Sequence, residues 1–328
     1  MKHAKLFSIL VFLVIALYGA IGFYYLPLAS FVGPLTRMGQ MPETLFGWTK
    51  QQPAVEAKWL VAATWEDADV LVIGDSFSMP HLWQSVLVQR GLKVHTENWG
   101  TIPNICTDFN AWLSSKNFKG RYVVIEVIEH NFQDRLNRAI PCQQTDYHPI
   151  ALPDVTPPAQ HLALGQRSYT GQLSIGIQTQ LNVLAYQQKS ARSDFNDWTL
   201  ANDVRMRRMY YGCQLFSHQA CQDVLFYGDD HVGDFDEQTL AQMATISQRL
   251  QGRTPVWVVV PDKSTSYLHP DKQFWNLAAQ RFNSPNVLHA LTSAIAAQHI
   301  DLYPANETHL STSGYLLMGE AIYQNLHP

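Results

Sequence analysis

Ser76, in Gly74-Asp75-Ser76-Phe77, and His309, in Asn306-Glu307-Thr308-His309-Leu310-Ser311, are the residues of this 328-residue chain whose types and settings could do chemistry together. A serine hydroxyl is a weak nucleophile until a base takes its proton. An imidazole does this best when a carboxylate fixes its tautomer and stabilises the imidazolium. Glu307, two residues before His309, can supply that carboxylate, whereas Asn306 can orient a ring but carries no charge. Alone, Ser76 fits a helix N-cap and His309 a surface histidine beside a cap. Taken together, they point to a nucleophile and its base.

The elements around them would place both at one edge of a sheet. Val70 to Ile73 is a short apolar run that ends at Gly74 and reads as a buried parallel strand feeding a tight turn. A serine on such a turn exposes its hydroxyl at the carboxyl edge, where open α/β sheets bind ligands, and its own N–H can face a developing oxyanion. Leu82 to Gly91 then carries Trp83, Val86 and Leu87 at helical spacing. Tyr122 to Ile128 and Val256 to Val260 read as further strands. Asp236 to Leu250 reads as an amphipathic helix ended by Gly252, and His309 would sit in the loop entering a last helix from Tyr315 to Leu326. Strands alternating with helices imply an α/β fold with a mostly parallel sheet and helices on both faces. The stretch between Asn131 and Asp236 departs from the alternation, with five prolines early and an Arg-, Cys- and aromatic-rich end, and reads as an inserted cap.

Ser76 in GDSF, Gly100 in ENWG, Asn131 in EVIEHNF and His309 in NETHLS, in that order, resemble the four blocks of the SGNH or GDSL hydrolase superfamily. Val260 to Tyr267, the Glu126 to Glu129 strand end and the Thr-His-Leu ending resemble more narrowly the periplasmic alginate O-acetylation proteins of the AlgJ and AlgX type. The resemblance implies a three-layer, flavodoxin-like SGNH fold. It also implies transfer of an acetyl group, through a serine ester, to a polysaccharide hydroxyl, with a membrane-bound acyltransferase supplying the acetyl group. It makes Ser76 the nucleophile and His309 the base, with Glu307 standing where that family has Asp. The N–H groups of Ser76 and Gly100, with the Asn131 amide, would form the oxyanion hole; His130 or Glu129 are alternatives to Asn131. An SGNH esterase or deacetylase would share this machinery, and a non-catalytic glycan-binding subunit would share only the fold.

Lys263 and Tyr267 follow the third strand, where they could contact a sugar or the acyl carbonyl, or pair and pack. Trp99, Trp112, Trp198 and Trp275 could stack on a glycan, but most tryptophans in a domain of this size are core, and none is assigned. Asp229-Asp230-His231 reads as a polar turn rather than a metal cluster. A glycan on Asn306-Glu307-Thr308 would block the site, so that pattern is discounted. No P-loop, GxGxxG or CxxC pattern occurs, so no cofactor or metal is expected.

Lys2 and Lys5 precede an uncharged stretch from Leu6 to Thr36, whose first two dozen or so residues are long enough to cross a hydrocarbon core as a helix. The basic end predicts a single-pass anchor in the inner membrane with the remainder in the periplasm, and a cleaved export signal would lead to the same compartment. Residues 1–31 are thus expected to form the anchor and 32–57 a linker, with 58–328 the catalytic domain carrying an insertion at about 132–235. Cys106, Cys142, Cys213 and Cys221 are even in number and allow three pairings, of which Cys106–Cys142 with Cys213–Cys221 is expected. A net charge of −4, with no basic run beyond the first residues, gives nucleic acid no electrostatic footing. Hydrophobic residues at 46% against 15% charged, with a mean hydropathy of −0.13, fit one large folded domain and exclude global disorder.

Overall fold

The computed structural model describes residues 2–150, 155–164, 168–228, 233–282 and 284–326. Asp229-Asp230-His231 lies outside the described residues. Those described include strands β1 (Val70–Gly74), β2 (Val94–Asn98), β3 (Tyr122–Ile128), β4 (Asp197–Thr199), β5 (Val204–Arg208), β6 (Asp223–Tyr227) and β7 (Thr254–Val260). The chain forms two compact units. One comprises residues 1–50, 161–228 and 304–308, and the other residues 51–160, 229–303 and 309–328.

The second unit is an α/β domain whose four strands are all parallel, in the order β2-β1-β3-β7. Alternation along each strand builds two cores. Leu71, Ile73, Val123, Ile125, Val127, Trp257 and Val259 face one core, which also holds Phe132 and Leu136 of helix Glu129–Ala139, Leu240 and Met243 of helix Glu237–Ser247, and Phe274 of helix Phe274–Phe282. Val70, Val72, Val124, Val256, Val258 and Val260 face the other, with Leu87 of helix Gln84–Gln89, Leu291 of helix Val287–Ala296, and Met318 and Ile322 of helix Thr312–Leu326. Both sheet faces are therefore covered, which is why β1, β3 and β7 read as largely apolar runs. The helix from Glu237 begins with Asp236 accepting the N–H of Thr239 at 3.0 Å, an N-cap that fixes its start.

The first unit carries the N-terminal helix Lys2–Tyr25, within a span from His3 to Ala29 of mean hydropathy 2.6 that is long and apolar enough to cross a membrane. It fits a single-pass anchor. Residues 32–50, expected as linker, contribute Leu35, Met41 and Phe46 to a buried core with Val204, Met206 and Leu225 of the antiparallel sheet β4-β5-β6. Much of the expected insertion thus builds this unit together with the juxtamembrane segment.

The disulfides are Cys106–Cys142 and Cys213–Cys221, the expected pairing, which fits an oxidising compartment. Cys106 and Cys142 are 36 residues apart, and closing such a loop restricts the unfolded chain by about 4 kcal/mol, against about 2.5 kcal/mol for the 8-residue separation of the second pair. Replacing Cys106 and Cys142 by serine is expected to lower the urea midpoint more than replacing Cys213 and Cys221.

Candidate active site

Gly74 ends β1 because nothing larger fits: a Cβ there would lie 2.6 Å from Glu126 Oε2 and would collide with the Ser78 side chain. Two carboxylates then shape the turn that follows. Glu126 Oε2 accepts the N–H of Asp75 at 3.0 Å and the hydroxyl of Ser78 at 2.6 Å. Asp75 accepts the N–H of Phe77 at 3.0 Å and, from the end of β3, that of Ile128 at 2.7 Å. Ser78 N–H donates to the carbonyl of Asp75. The N–H groups on either side of Ser76 are thus engaged, while that of Ser76 has no acceptor among the described residues. Ser76 itself is exposed.

Glu126 is fully buried, and burial, then repulsion from Asp75, holds its carboxyl well above the usual carboxylate range. The folded state therefore holds this proton more tightly than the unfolded chain does. Its stabilising effect is complete below the unfolded pKa and is lost as pH rises through the raised value, at up to about 1.4 kcal/mol per pH unit. Glu126→Gln keeps an acceptor oxygen for Asp75 and Ser78. It is expected to flatten the fall in urea midpoint above about pH 5, giving a variant more stable than wild type at high pH.

His309 reaches the serine from the other end of the chain, its Nε2 lying 2.8 Å from Ser76 Oγ. The ring packs on Phe77, with centroids 4.8 Å apart, and Ser311 N–H donates to Leu302 carbonyl at 2.9 Å as the chain enters the last helix. A hydroxyl and a ring nitrogen at this separation form a hydrogen bond along which a proton can move. The two residues singled out from the sequence are thus in contact at the carboxyl edge of β1.

Residues 304–308 belong to the first unit, and His309 onward to the second. Glu307 Oε1 accepts the N–H of Thr308 at 3.0 Å. Asn306 is buried and donates its amide to Glu43 Oε2 at 2.8 Å. Glu43 also accepts the N–H groups of Val32 and Gly33, so Asn306 is part of the packing of the juxtamembrane segment.

The remaining site residues divide. Gly100 follows β2 and is exposed, but its N–H donates to Asn98 Oδ1 at 2.6 Å, and Thr101 N–H donates to the same oxygen. Asn131 lies exposed in the first turn of helix Glu129–Ala139. Its neighbours have their own partners: Glu129 accepts the N–H groups of Gly233 and Asp262, and His130 Nδ1 lies 2.7 Å from Asp262 Oδ1. Lys263 is only 2% exposed, and Tyr267 accepts the Tyr303 N–H at 3.4 Å while burial raises its pKa. Lys263 is thus buried and Tyr267 half-buried just after β7. Trp99 and Trp275 are buried.

Several residues that shape the site have no motif of their own. Asp75 and Glu126 hold the serine turn, Asn98 occupies the Gly100 N–H, and Arg135 lies 5.0 Å over the Trp99 ring, its pKa lowered by burial against the opposing pull of Asp75. The one available signal was a glutamate inside the apolar run Tyr122 to Ile128, since a carboxylate buried in a central strand requires donors. Comparison of the chain with protein-family models, curated proteins and solved structures finds no significant match to any of them. Among the described residues, no group of three or more His, Cys, Asp or Glu is arranged to hold a metal ion.

Proposed function

We propose that this chain is a serine-dependent O-acetyltransferase that modifies a polysaccharide outside the cytoplasm through an acetyl ester on Ser76. The observation that carries this reading is the 2.8 Å contact between Ser76 Oγ and His309 Nε2 on a turn at the carboxyl edge of a parallel sheet. His309 takes the hydroxyl proton as Oγ attacks the acetyl carbonyl of the donor. The Ser76 N–H, which has no acceptor among the described residues, receives the developing oxyanion; one such donor is worth about 3 kcal/mol. Collapse expels the donor's leaving group, protonated by His309. A sugar hydroxyl then attacks the acetyl-serine while His309 accepts its proton, and collapse breaks the Ser76 Oγ–acetyl bond, leaving the acetyl group on the sugar as His309 returns the proton to Ser76.

Glu307 is assigned to stabilise the imidazolium, from its place two residues before His309. Asn131 is assigned to the oxyanion from its place in the third motif block, whereas Gly100 can donate only if its N–H leaves Asn98. Lys263 and Tyr267 are assigned to the sugar or the acyl carbonyl from their place just after β7. The fold is read as a three-layer SGNH type, held by the N-terminal helix in the inner membrane with both units in the periplasm and a membrane-bound acyltransferase as acetyl donor. The resemblance in the four motif blocks supports the choice of acetyl transfer to a glycan.

The test supplies p-nitrophenyl acetate with oligosaccharide acceptors and follows both products by mass spectrometry. Acetylated sugar whose formation depends on Ser76 is expected. Acetate alone would make the protein an esterase, and neither product would leave a glycan-binding role.

A further inference from the structure

We propose that the helix Leu173–Ser190 lies against the bilayer surface, with its Ile177, Leu181 and Leu184 face set among lipid. These three residues recur at helical spacing on one face and are 37%, 53% and 47% exposed. The rotation of the helix is fixed from its other side. Gly176 and Thr179 are buried, the Asn182 amide donates to the carbonyls of Gly39 and Gln40, and the Tyr186 hydroxyl donates to Asp223 at 2.8 Å. The apolar face therefore cannot roll inward without breaking these bonds.

What covers that face follows from where the helix is held. Tyr169 stacks on Phe23 of the membrane helix at 5.7 Å, and Gly176 approaches the Tyr25 carbonyl so closely that a Cβ would collide with it. Phe23 and Tyr25 lie in the last turns of the span from His3 to Ala29, where aromatic residues mark the level of the lipid headgroups. Residues 168–188 carry no charged side chain, Lys189 being the first. A helix facing water would present charges on its exposed side, whereas a leucine and isoleucine face beside a membrane span meets the headgroup and acyl boundary.

The proposal rests on the N-terminal helix spanning the bilayer, and its test reads that separately. Both disulfides use all four cysteines, so an introduced cysteine is the sole free thiol. Full-length Leu181→Cys, Val14→Cys and Lys119→Cys variants, labelled with an environment-sensitive fluorophore, are placed in nanodiscs of phosphatidylethanolamine and phosphatidylglycerol. The probe at 181 is expected to be quenched by lipid bearing a nitroxide near the headgroup and to resist aqueous iodide. The probe at 14 should be quenched by nitroxide deep in the chain, and the probe at 119 by iodide alone. Iodide quenching at 181 would overturn the proposal. Shielding from both quenchers would overturn it too, placing a second copy or a protein partner on this face. Failure of the probe at 14 to meet the deep nitroxide would remove the span, and the proposal with it.

Discussion

Ser76→Ala is expected to abolish formation of the acetyl-enzyme and to lower ester turnover by about 10^4- to 10^6-fold, the scale on which loss of a serine nucleophile acts. The substitution removes one oxygen from an exposed turn whose shape is set by hydrogen bonds of Asp75, Glu126 and Ser78, none of which uses that oxygen. Thermal stability should therefore stay close to wild type. Steady-state hydrolysis of p-nitrophenyl acetate, read beside a melting curve, separates the two effects. A variant that melts normally and retains most of its turnover would show that Ser76 carries no acyl group.

The second large effect is expected at His309. His309→Gly removes the only ring within hydrogen-bond distance of Ser76 Oγ among the described residues, and about 10^4-fold or more in turnover should go with it. Added imidazole can occupy the space left beside Phe77 and take the serine proton, so part of the activity should return in proportion to its concentration. Imidazole should do nothing for Ser76→Ala. Glu307→Gln tests the assigned carboxylate in the same assay; a fall of about 10^2-fold or more with unchanged KM for the ester is expected from loss of imidazolium stabilisation. Rescue of His309→Gly without any effect of Glu307→Gln would keep the base and remove its assigned acid.

What the sequence made visible is explained by burial on both faces of the sheet. β1, β3 and β7 are each sandwiched between two cores, so their residues are almost all apolar, Glu126 being the exception in β3, and they stand out. Among the described residues β2 is an edge strand paired with β1 alone, and its sequence Val94-His95-Thr96-Glu97-Asn98 hides it, with His95 and Glu97 joined to each other at 3.1 Å on one side. β5 is hidden by its arginines, although Val204 and Met206 alternate inward with period two and Arg208 pairs with the buried Asp223. Leu35, Met41 and Phe46 read as linker residues because their partners on the antiparallel sheet and the helix beside it lie about 140 positions away or more, beyond the reach of any local period.

The site was legible to the same degree and for the same kind of reason. Ser76 and His309 are marked by their chemistry and by the elements they end or begin, and they meet. Gly100 was assigned from a motif in which the competing acceptor, Asn98, looks like any other turn residue. Lys263 and Tyr267 follow β7 as their spacing implies, and how deeply each is buried is set by packing, which sequence spacing does not carry.

Intact-mass spectrometry of the full-length protein after brief exposure to p-nitrophenyl acetate, followed by peptide mapping, tests the central claim most directly. One added acetyl group on Ser76, absent from Ser76→Ala and discharged when an oligosaccharide acceptor is added, is the predicted result. An unmodified Ser76, or an acetyl group on another residue with turnover intact, would contradict it.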